Sequence, residues 1–327
     1  MNKKKYVNRN YLTTTRIIAL GFLITVIVGT ILLSLPIASA NGTWTDLLTA
    51  AFTSTTSVCV TGLVVVDTFS YWSLFGKGVI LILIQIGGLG IVSIITLFML
   101  LFRMKITLKS TMLLQDAFNL NSKQGLLKFT IKVIKGTFLI EGIGAFIYSF
   151  YYCREYGLLK GIWFSVFHAV SAFCNAGLDI MGADSLIPYH SNLLMMLNTS
   201  FLIIMGGIGF IVWWDTVEAF RRIRTKKCSI RSAWNGVHLQ TKIAIFMTLL
   251  LLIGGTVVIY FLERSNPDTL GNLSEKDRIL NAFFQSVTLR TAGFAAVPQA
   301  ALRPVTAFFG ALLMMIGGSG GGGGGGG

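Results

Sequence analysis

The sequence predicts an all-α membrane protein made of repeated units, and two features of the chain lead to this fold class. Hydrophobic residues make up 54% of its 327 residues and charged residues only 12%. So few charges cannot cover the apolar surface of a soluble protein of this size. One short pattern also occurs three times, each time between two long apolar segments. A chain that crosses a bilayer several times as helices, with an internal repeat, accounts for both features.

Six apolar segments are candidates for helices that cross a bilayer. The first is followed by Leu35-Pro36 and has no small-residue cleavage site behind a compact apolar core. We therefore interpret it as a retained span and not as a signal peptide. The predicted spans are residues 16–39, 75–102, 129–152, 192–214, 240–262 and 303–318, of which the last is short.

The repeated pattern is centred on Gly62, Gly177 and Gly293, which stand 115 and 116 residues apart. Each copy has a phenylalanine ten residues before the glycine, a small residue directly before it and a large apolar residue directly after it. A segment too short to cross a bilayer, ending in a glycine turn between two spans, is typical of a re-entrant pore loop. Three copies in one register make this signal far stronger than a single copy.

Each unit therefore consists of a span, a short re-entrant helix, a glycine turn and a second span. The short helices are predicted over residues 44–57, 160–173 and 277–289. Their predicted start signals are Asn41-Gly42-Thr43, Lys160-Gly161 and Ser274-Glu275-Lys276-Asp277. The predicted division of the chain is an N-terminal stretch 1–15, a first unit 16–102, a linker 103–128, a second unit 129–215, a basic linker 216–239, an incomplete third unit 240–318 and a glycine tail 319–327.

Basic residues are concentrated on one side of the predicted spans. Regions 1–16, 103–135 and 216–242 hold 19 of the 27 Lys and Arg residues. The positive-inside rule therefore predicts a cytoplasmic N-terminus, cytoplasmic linkers and glycine turns that face the outside of the cell membrane. The run from Arg221 to Lys227 is either an anchor for this topology or a docking surface for a cytoplasmic partner. Because no soluble domain carries these charges, we expect the lipid bilayer and not nucleic acid as a partner.

The ends of the short helices favour a bound cation. A half-helix that enters from outside directs its C-terminal end, which carries about half a negative charge, towards the middle of the membrane. No Asp or Glu lies in residues 52–63, 167–178 or 283–294. We therefore expect backbone carbonyl ligands, which suit a hard cation and which glycine can turn inward because it has no Cβ. The candidate ligands are the carbonyl groups of Val60, Thr61, Gly62, Asn175, Ala176, Gly177, Thr291, Ala292 and Gly293.

These loops resemble the selectivity-filter loops of the Trk/Ktr/HKT superfamily of potassium transporters. The matching residues are Val60-Thr61-Gly62-Leu63, Asn175-Ala176-Gly177-Leu178 and Arg290-Thr291-Ala292-Gly293-Phe294. Within the superfamily, the chain is similar to the KtrB-type membrane subunits of bacterial Ktr systems. Segments 85–90 and 205–210 of the second and fourth spans take part in the resemblance, which extends to about residue 318.

The resemblance implies a pseudo-fourfold arrangement of four M1–pore helix–M2 units around a central pore, of which this chain has three. It implies that Gly62, Gly177 and Gly293 are filter glycines, that potassium is the transported ion, and that no covalent cofactor is needed. Sodium is the alternative, as transported, coupling or activating ion, although a serine at the first filter glycine often favours sodium and this chain has Gly62. A homodimer and a cytoplasmic, nucleotide-binding regulatory ring of the KtrA type are also implied.

The end of the chain departs from the family pattern. In Ktr-like proteins the second span of the third unit breaks into a gate loop beneath the filter, and the resemblance places this gate at Gly317, Gly318 and Ser319. Eight glycines follow, which have no helical propensity in a membrane and no side chains to pack. We therefore interpret the tail 319–327 as an artefact outside the fold.

Four further features each have two interpretations. Arg290, three residues before Gly293, either holds carbonyl groups behind the loop or tunes ion occupancy, and Glu141 inside the third span is either a functional site or a partner in helix packing. Asp67 and Asp179 either line an outer vestibule or are solvated loop residues. The pairs Gly87-Gly88 and Gly206-Gly207 either allow close helix packing or act as hinges.

No sequence feature indicates catalysis. The four cysteines and three histidines lack metal-binding spacing, and no glycine-rich nucleotide loop follows a strand. We therefore expect a transporter and not an enzyme. A secondary transporter of another small solute is a less favoured alternative, because such proteins usually pair inverted repeats and direct helix N-termini at the substrate. The repeats here are parallel.

Overall fold

The computed structural model describes residues 14–90, 93, 126–182, 184–226 and 229–318. Within these ranges the predicted all-α fold is confirmed, since the chain forms helices and short 3-10 turns with one isolated β-bridge between Ser39 and Trp72. The predicted N-terminal stretch 1–15, the linker 103–128 and the tail 319–327 lie wholly or mostly outside the described residues.

Twelve α-helices are described. They are α1 (Thr14–Ser34), α2 (Leu47–Cys59), α3 (Thr68–Tyr71), α4 (Leu74–Leu89), α5 (Leu126–Tyr156), α6 (Leu158–Phe173), α7 (Leu193–Gly207), α8 (Phe210–Lys226), α9 (Ile230–Asn235), α10 (Leu239–Glu263), α11 (Glu275–Thr288) and α12 (Pro304–Ile316).

The helices group into three similar units. In each unit a short helix (α2, α6 or α11) packs against a preceding long helix, and the chain then returns through α4, α7 or α12. Contacts between α4 and α6 join the first unit to the second, and contacts between α7 and α11 join the second to the third. The short helices therefore lie towards the interior, as the repeated pattern predicts.

Small residues bring the helices of a unit into close contact. Ser54 Oγ in α2 donates to the Val26 carbonyl in α1 at 2.8 Å, and Ser286 Oγ in α11 donates to the Leu252 carbonyl in α10 at 3.1 Å. A Cβ on Gly29 or on Gly255 would lie 2.3 Å from the respective serine oxygen. Only glycine allows the long helix to pass so near the short one.

The glycine pairs of the return helices have a packing role. A Cβ on Gly87 would meet the Val58 carbonyl oxygen, and a Cβ on Gly206 would meet the Phe173 carbonyl oxygen. Val58 and Phe173 both stand four residues before the repeated glycine of their unit. The predicted packing interpretation is therefore confirmed for Gly87 and Gly206, each of which contacts the last turn of a short helix.

The described residues contain two helices that are long and apolar enough to cross a membrane, Lys128–Tyr156 within α5 and the whole of α10. The described parts of α1, α4 and α12, where three further spans are predicted, are shorter apolar helices. The predicted span 192–214 is not one continuous helix but is bent near its end. There α7 ends at Gly207 and α8 continues at an angle of 98°, with Gly209 at a φ of 99° in between.

The three short helices are confirmed, with ends displaced by up to three residues from the prediction. Ser274 caps α11 as predicted, because its hydroxyl accepts from the Asp277 amide at 3.3 Å. The other two start signals are wrong. The Asp46 carboxylate, a stronger cap than the segment 41–43, accepts from the first amides of α2. Gly157, at a φ of 80°, turns the chain from α5 into α6, so Lys160-Gly161 lies inside the helix.

Candidate cation site

The three repeated glycines lie together at the ends of α2, α6 and α11. Their φ angles are all positive, at 75° for Gly62, 63° for Gly177 and 85° for Gly293. Residues with a Cβ adopt this left-handed conformation at a cost of roughly 1–2 kcal/mol. The glycine requirement that the repeat suggests therefore has a conformational cause at each of the three positions.

Space imposes a second requirement for glycine. A Cβ on Gly62 would lie 2.8 Å from the Ala176 carbonyl oxygen, and one on Gly177 would lie 2.6 Å from the Ala292 carbonyl oxygen. A Cβ on Gly293 would lie 3.0 Å from Gly177 Cα and 3.8 Å from Gly62 Cα. The loops that the sequence predicts as equivalent thus contact one another backbone to backbone.

A second left-handed residue precedes each glycine by two positions. Val60, Asn175 and Thr291 have φ angles of 55°, 56° and 69°. Because two left-handed residues flank one ordinary residue, the carbonyl groups of each loop no longer point along the axis of the preceding helix. Only Asn175 is of a type that often adopts this conformation, whereas valine and threonine are β-branched and disfavour it, so the sequence does not indicate the feature in the first and third loops. The surrounding contacts hold them there.

A hydroxyl group in the last turn of each short helix forms a hydrogen bond with the backbone of the residue that follows the glycine. Thr56 Oγ1 accepts from the Leu63 amide at 3.0 Å. Ser171 Oγ donates to the Leu178 carbonyl, and Thr288 Oγ1 donates to the Phe294 carbonyl at 2.7 Å. The sequence analysis missed these residues, although a Ser or Thr five or six residues before each glycine was visible in the three copies.

The charges near the loops are few. The C-terminal ends of α2, α6 and α11 lead directly into the glycine loops, so three helix dipoles place partial negative charge there. The three copies of the repeated pattern (residues 52–63, 167–178 and 283–294) contain no carboxylate and a single charged residue, Arg290. The helix dipoles favour a cation at the loops, and the positive charge of Arg290 acts against it.

Arg290 lies buried behind the third loop, with 7% of its surface exposed. Its Nη2 is 3.4 Å from the Gly317 carbonyl oxygen and 3.5 Å from Thr248 Oγ1. Gly317 ends α12 at a φ of 63°, and a Cβ on Gly318 would lie 3.1 Å from the Gly207 carbonyl oxygen. Arg290 therefore connects the third loop to the predicted gate segment, of which Ser319 lies outside the described residues.

Glu141 lies outside the group of glycine loops, at the contact between the first and second units. Its Oε1 accepts from Gln85 Nε2 of α4 at 3.1 Å and is 4.0 Å from Cys174 Sγ, directly before the second loop. Its Oε2 has no hydrogen-bond partner among the described residues. Glu141 thus pairs with the side-chain amide of Gln85 at a helix interface, and not with the lysine or backbone group that we expected as its packing partner.

A cavity of about 340 Å³ lies between the first and third loops. Val60 and Thr61 line it on one side, and Thr291 and Gly293 line it on the other. Met314 of α12 and Gln299 also reach it. The second loop does not line this cavity, so the ring of three loops is open between the first and the third.

The sequence of this chain is similar to the sequences of known transport proteins. The sequence matches the TrkH family, described as a cation transport protein, over residues 3–326. It is 40% identical over 289 residues to the potassium/sodium uptake protein NtpJ of Enterococcus hirae, covering 88% of this chain and 61% of that protein. It is 37% identical over 313 residues to the Ktr system potassium uptake protein B of Bacillus subtilis, covering 95% of this chain and 67% of that protein.

A solved structure agrees with these matches at the level of the fold. The potassium transporter TrkH from Vibrio parahaemolyticus superposes with a TM-score of 0.65 and 17% sequence identity, over 98% of this chain and 60% of that one. The chain therefore spans about three fifths to two thirds of the proteins it matches. The expected resemblance to Trk and Ktr proteins is confirmed, and so is the expectation of a transport protein instead of an enzyme. From its sequence match and its fold, the chain belongs to the TrkH family of cation transport proteins.

Proposed function

We propose that this chain carries the ion-conducting loops of a potassium uptake transporter in the cell membrane. Potassium ions would bind to the backbone carbonyls of residues 60–62, 175–177 and 291–293. The observation that carries the proposal is the convergence of Gly62, Gly177 and Gly293, all at positive φ and in contact through their backbones.

Three physical features favour a cation as the transported ion. The C-terminal ends of α2, α6 and α11 lead into the loops, and carbonyl oxygens are the ligands that replace the hydration shell of an alkali ion. Arg290 is turned towards Gly317 behind the loop. Because the three copies of the repeated pattern contain no carboxylate, they suit a monovalent cation better than a divalent one.

Sodium is the second candidate ion. NtpJ is named for the uptake of both potassium and sodium, whereas the Ktr system protein B is named for potassium alone. The first loop carries Gly62, and the family resemblance associates a serine at this place with sodium. We therefore favour potassium as the main ion, with sodium as a competing or coupling ion.

Conduction requires more than the three described loops. Because the glycines are in backbone contact, an ion held by their carbonyls requires the loops to lie farther apart. The family resemblance supplies a fourth unit, and the 340 Å³ cavity between the first and third loops is where its loop would enter. The gate would lie at Gly317, Gly318 and Ser319, with Arg290 linking it to the third loop.

The proposal includes the assembly. Three relatives are named as components of a Ktr system, which supports a transporter with more than one kind of subunit. A homodimer and a cytoplasmic, nucleotide-binding ring of the KtrA type are the partners we propose. This ring would lie on the cytoplasmic side, where the charge bias places the basic linkers, and the glycine loops would face outward.

Growth of a bacterium that lacks its own potassium uptake systems tests the proposal. The whole protein should restore growth at low potassium, and Gly293→Ser should not, because a residue with a side chain adopts the φ of 85° at this position only at a cost. Gly254→Ser is the matched control, since a Cβ on Gly254 in α10 has no atom within 4 Å. Equal growth with all three proteins, at equal membrane expression, would contradict a filter role for Gly293.

A further inference from the structure

The 98° bend after α7 gives α8 a direction unlike that of the membrane helices. The first turns of α8 are anchored in the protein, since Val212 and Trp213 are buried and Trp213 Nε1 donates to the Met205 carbonyl at 2.9 Å. If α7 follows the membrane normal, α8 runs nearly parallel to the membrane surface. It does so on the side that the charge bias predicts as cytoplasmic.

The second half of α8 exposes apolar and basic side chains on one face. Val217 and Phe220 are 53% and 66% exposed, and Arg221 and Arg224 are exposed beside them. These four residues follow the spacing i, i+3, i+4 and i+7, which defines one face of a helix. A phenylalanine exposed among arginines does not stabilise a helix face that contacts only water, so this face is suited to contact with another surface.

The short helix α9, which packs against α8, exposes side chains of the same kinds. Ile230 and Trp234 are 76% and 45% exposed, and Arg231 stands exposed between them. Tryptophan and long basic side chains are enriched where apolar lipid meets headgroups, because each has an apolar body and a polar end. We name the exposed residues of α8 and α9 the interfacial surface. They are Val217, Phe220, Arg221, Arg224, Ile230, Arg231 and Trp234.

The charge of this region is strongly positive. Of the two acidic residues of α8, Glu218 faces Arg221 and Arg222 at 3.9 Å and 3.5 Å. The other, Asp215, accepts from Thr241 Oγ1 and lies 2.9 Å from His238 Nδ1. On the adjoining α5, three exposed lysines add to the positive charge. They are Lys128, Lys132 and Lys135.

We propose that the interfacial surface binds anionic phospholipids of the cytoplasmic leaflet. Arg221, Arg224 and Arg231 would hold the phosphate groups, and Phe220, Ile230 and Trp234 would lie at the boundary between headgroups and acyl chains. The mixture of exposed apolar and basic side chains favours a lipid surface over water. The inference does not depend on which ion the protein transports.

Lipid binding by the purified whole protein tests this proposal. The protein would be reconstituted in vesicles of phosphatidylcholine with increasing phosphatidylglycerol. Native mass spectrometry of the extracted protein would then measure the retained phosphatidylglycerol, and thermal unfolding would measure how far this lipid raises the unfolding temperature. For Arg221→Gln with Arg224→Gln, we expect the apparent affinity for phosphatidylglycerol to fall about 25-fold, since each basic residue near an anionic surface contributes roughly fivefold.

The matched control is Arg154→Gln with Arg264→Gln. These two exposed arginines lie near the C-terminal end of α5 and directly after α10, away from the interfacial surface. This double variant should change the affinity by less than about twofold. Phe220→Ser should weaken retention without changing the net charge, and circular dichroism would show that all variants stay helical. Equal phosphatidylglycerol retention by wild type and both double variants would overturn the proposal.

Discussion

Gly177 and Gly293 lie so close together that a Cβ added to Gly177 would stand 2.6 Å from Gly293 Cα. Atoms at that distance clash, and Gly177 also has a φ of 63°. Gly177→Ala should therefore destabilise the loops by at least the roughly 1–2 kcal/mol of the left-handed conformation. We expect potassium uptake to be lost or greatly reduced at normal membrane expression.

Gly254→Ala is the control for this prediction, because its Cβ would project into open space from α10 and alanine favours helix. Uptake and thermal unfolding measured in parallel separate a local effect from general misfolding. Wild-type uptake by Gly177→Ala would contradict the requirement for glycine at this left-handed position.

The hydroxyl behind the third loop should control ion selectivity. Thr288→Val keeps the shape of the side chain but removes the donor to the Phe294 carbonyl, at a cost of about 1–3 kcal/mol for a buried unsatisfied group. We expect a lower ratio of potassium to sodium uptake. Thr256→Val, which removes a hydroxyl bonded within α10, should leave the ratio unchanged.

Glu141 should tolerate loss of its charge. Its Oε1 accepts from Gln85, and its Oε2 is buried without a partner among the described residues, so a neutral side chain of the same shape fits the site. Glu141→Gln should keep uptake near the wild-type rate. Glu141→Ala should lower stability by about 1–3 kcal/mol, because Gln85 loses its acceptor. Loss of uptake in Glu141→Gln at normal stability would instead show that the negative charge itself is required.

Asp179, in the loop after Gly177, should make stability depend on pH. Burial raises its pKa from 3.8 to about 6, with the nearby Asp67 charge acting in the same direction and Ser185 and the Met181 amide opposing it. The folded state therefore holds the proton more tightly than the unfolded state. Its contribution to stability is fully present below about pH 3.8 and is lost as the pH rises through about 6.

Thermal unfolding of Asp179→Asn checks the direction of this pH dependence of stability. The variant should show a flatter pH dependence between pH 4 and pH 7 than wild type and should be more stable at neutral pH. Asp184→Asn, at an exposed position in the same loop, is the control. A wild-type pH profile in Asp179→Asn would show that another group is responsible.

The repeated pattern predicts the three short helices and the left-handed glycine that follows each of them. Glycine positions at fixed spacing carry this information because both the left-handed backbone and the contact between loops exclude a side chain. The serine cap of α11 was also visible, because Ser274 stands three residues before Asp277. The chain order of the units then follows from the spacing alone.

Other features could not be read from the sequence. The bend between Gly207 and Phe210 lies inside an apolar stretch, so composition on both sides resembles one continuous span. Val60 and Thr291 adopt positive φ angles against their own preferences, because the fold as a whole holds them there. The partner of Glu141 lies on another unit, 56 residues earlier in the chain, and only the packing of α4 on the second unit brings it near.

Stabilisation of the purified whole protein by potassium tests the central claim most directly. Unfolding temperatures would be measured with increasing potassium or sodium chloride at constant ionic strength, for wild type, Gly293→Ser and Gly254→Ser. If the three glycine loops bind potassium, the unfolding temperature of wild type and of Gly254→Ser rises more with potassium than with sodium. Gly293→Ser should lose this difference. An equal response of all three proteins to both ions would contradict a potassium site at these loops.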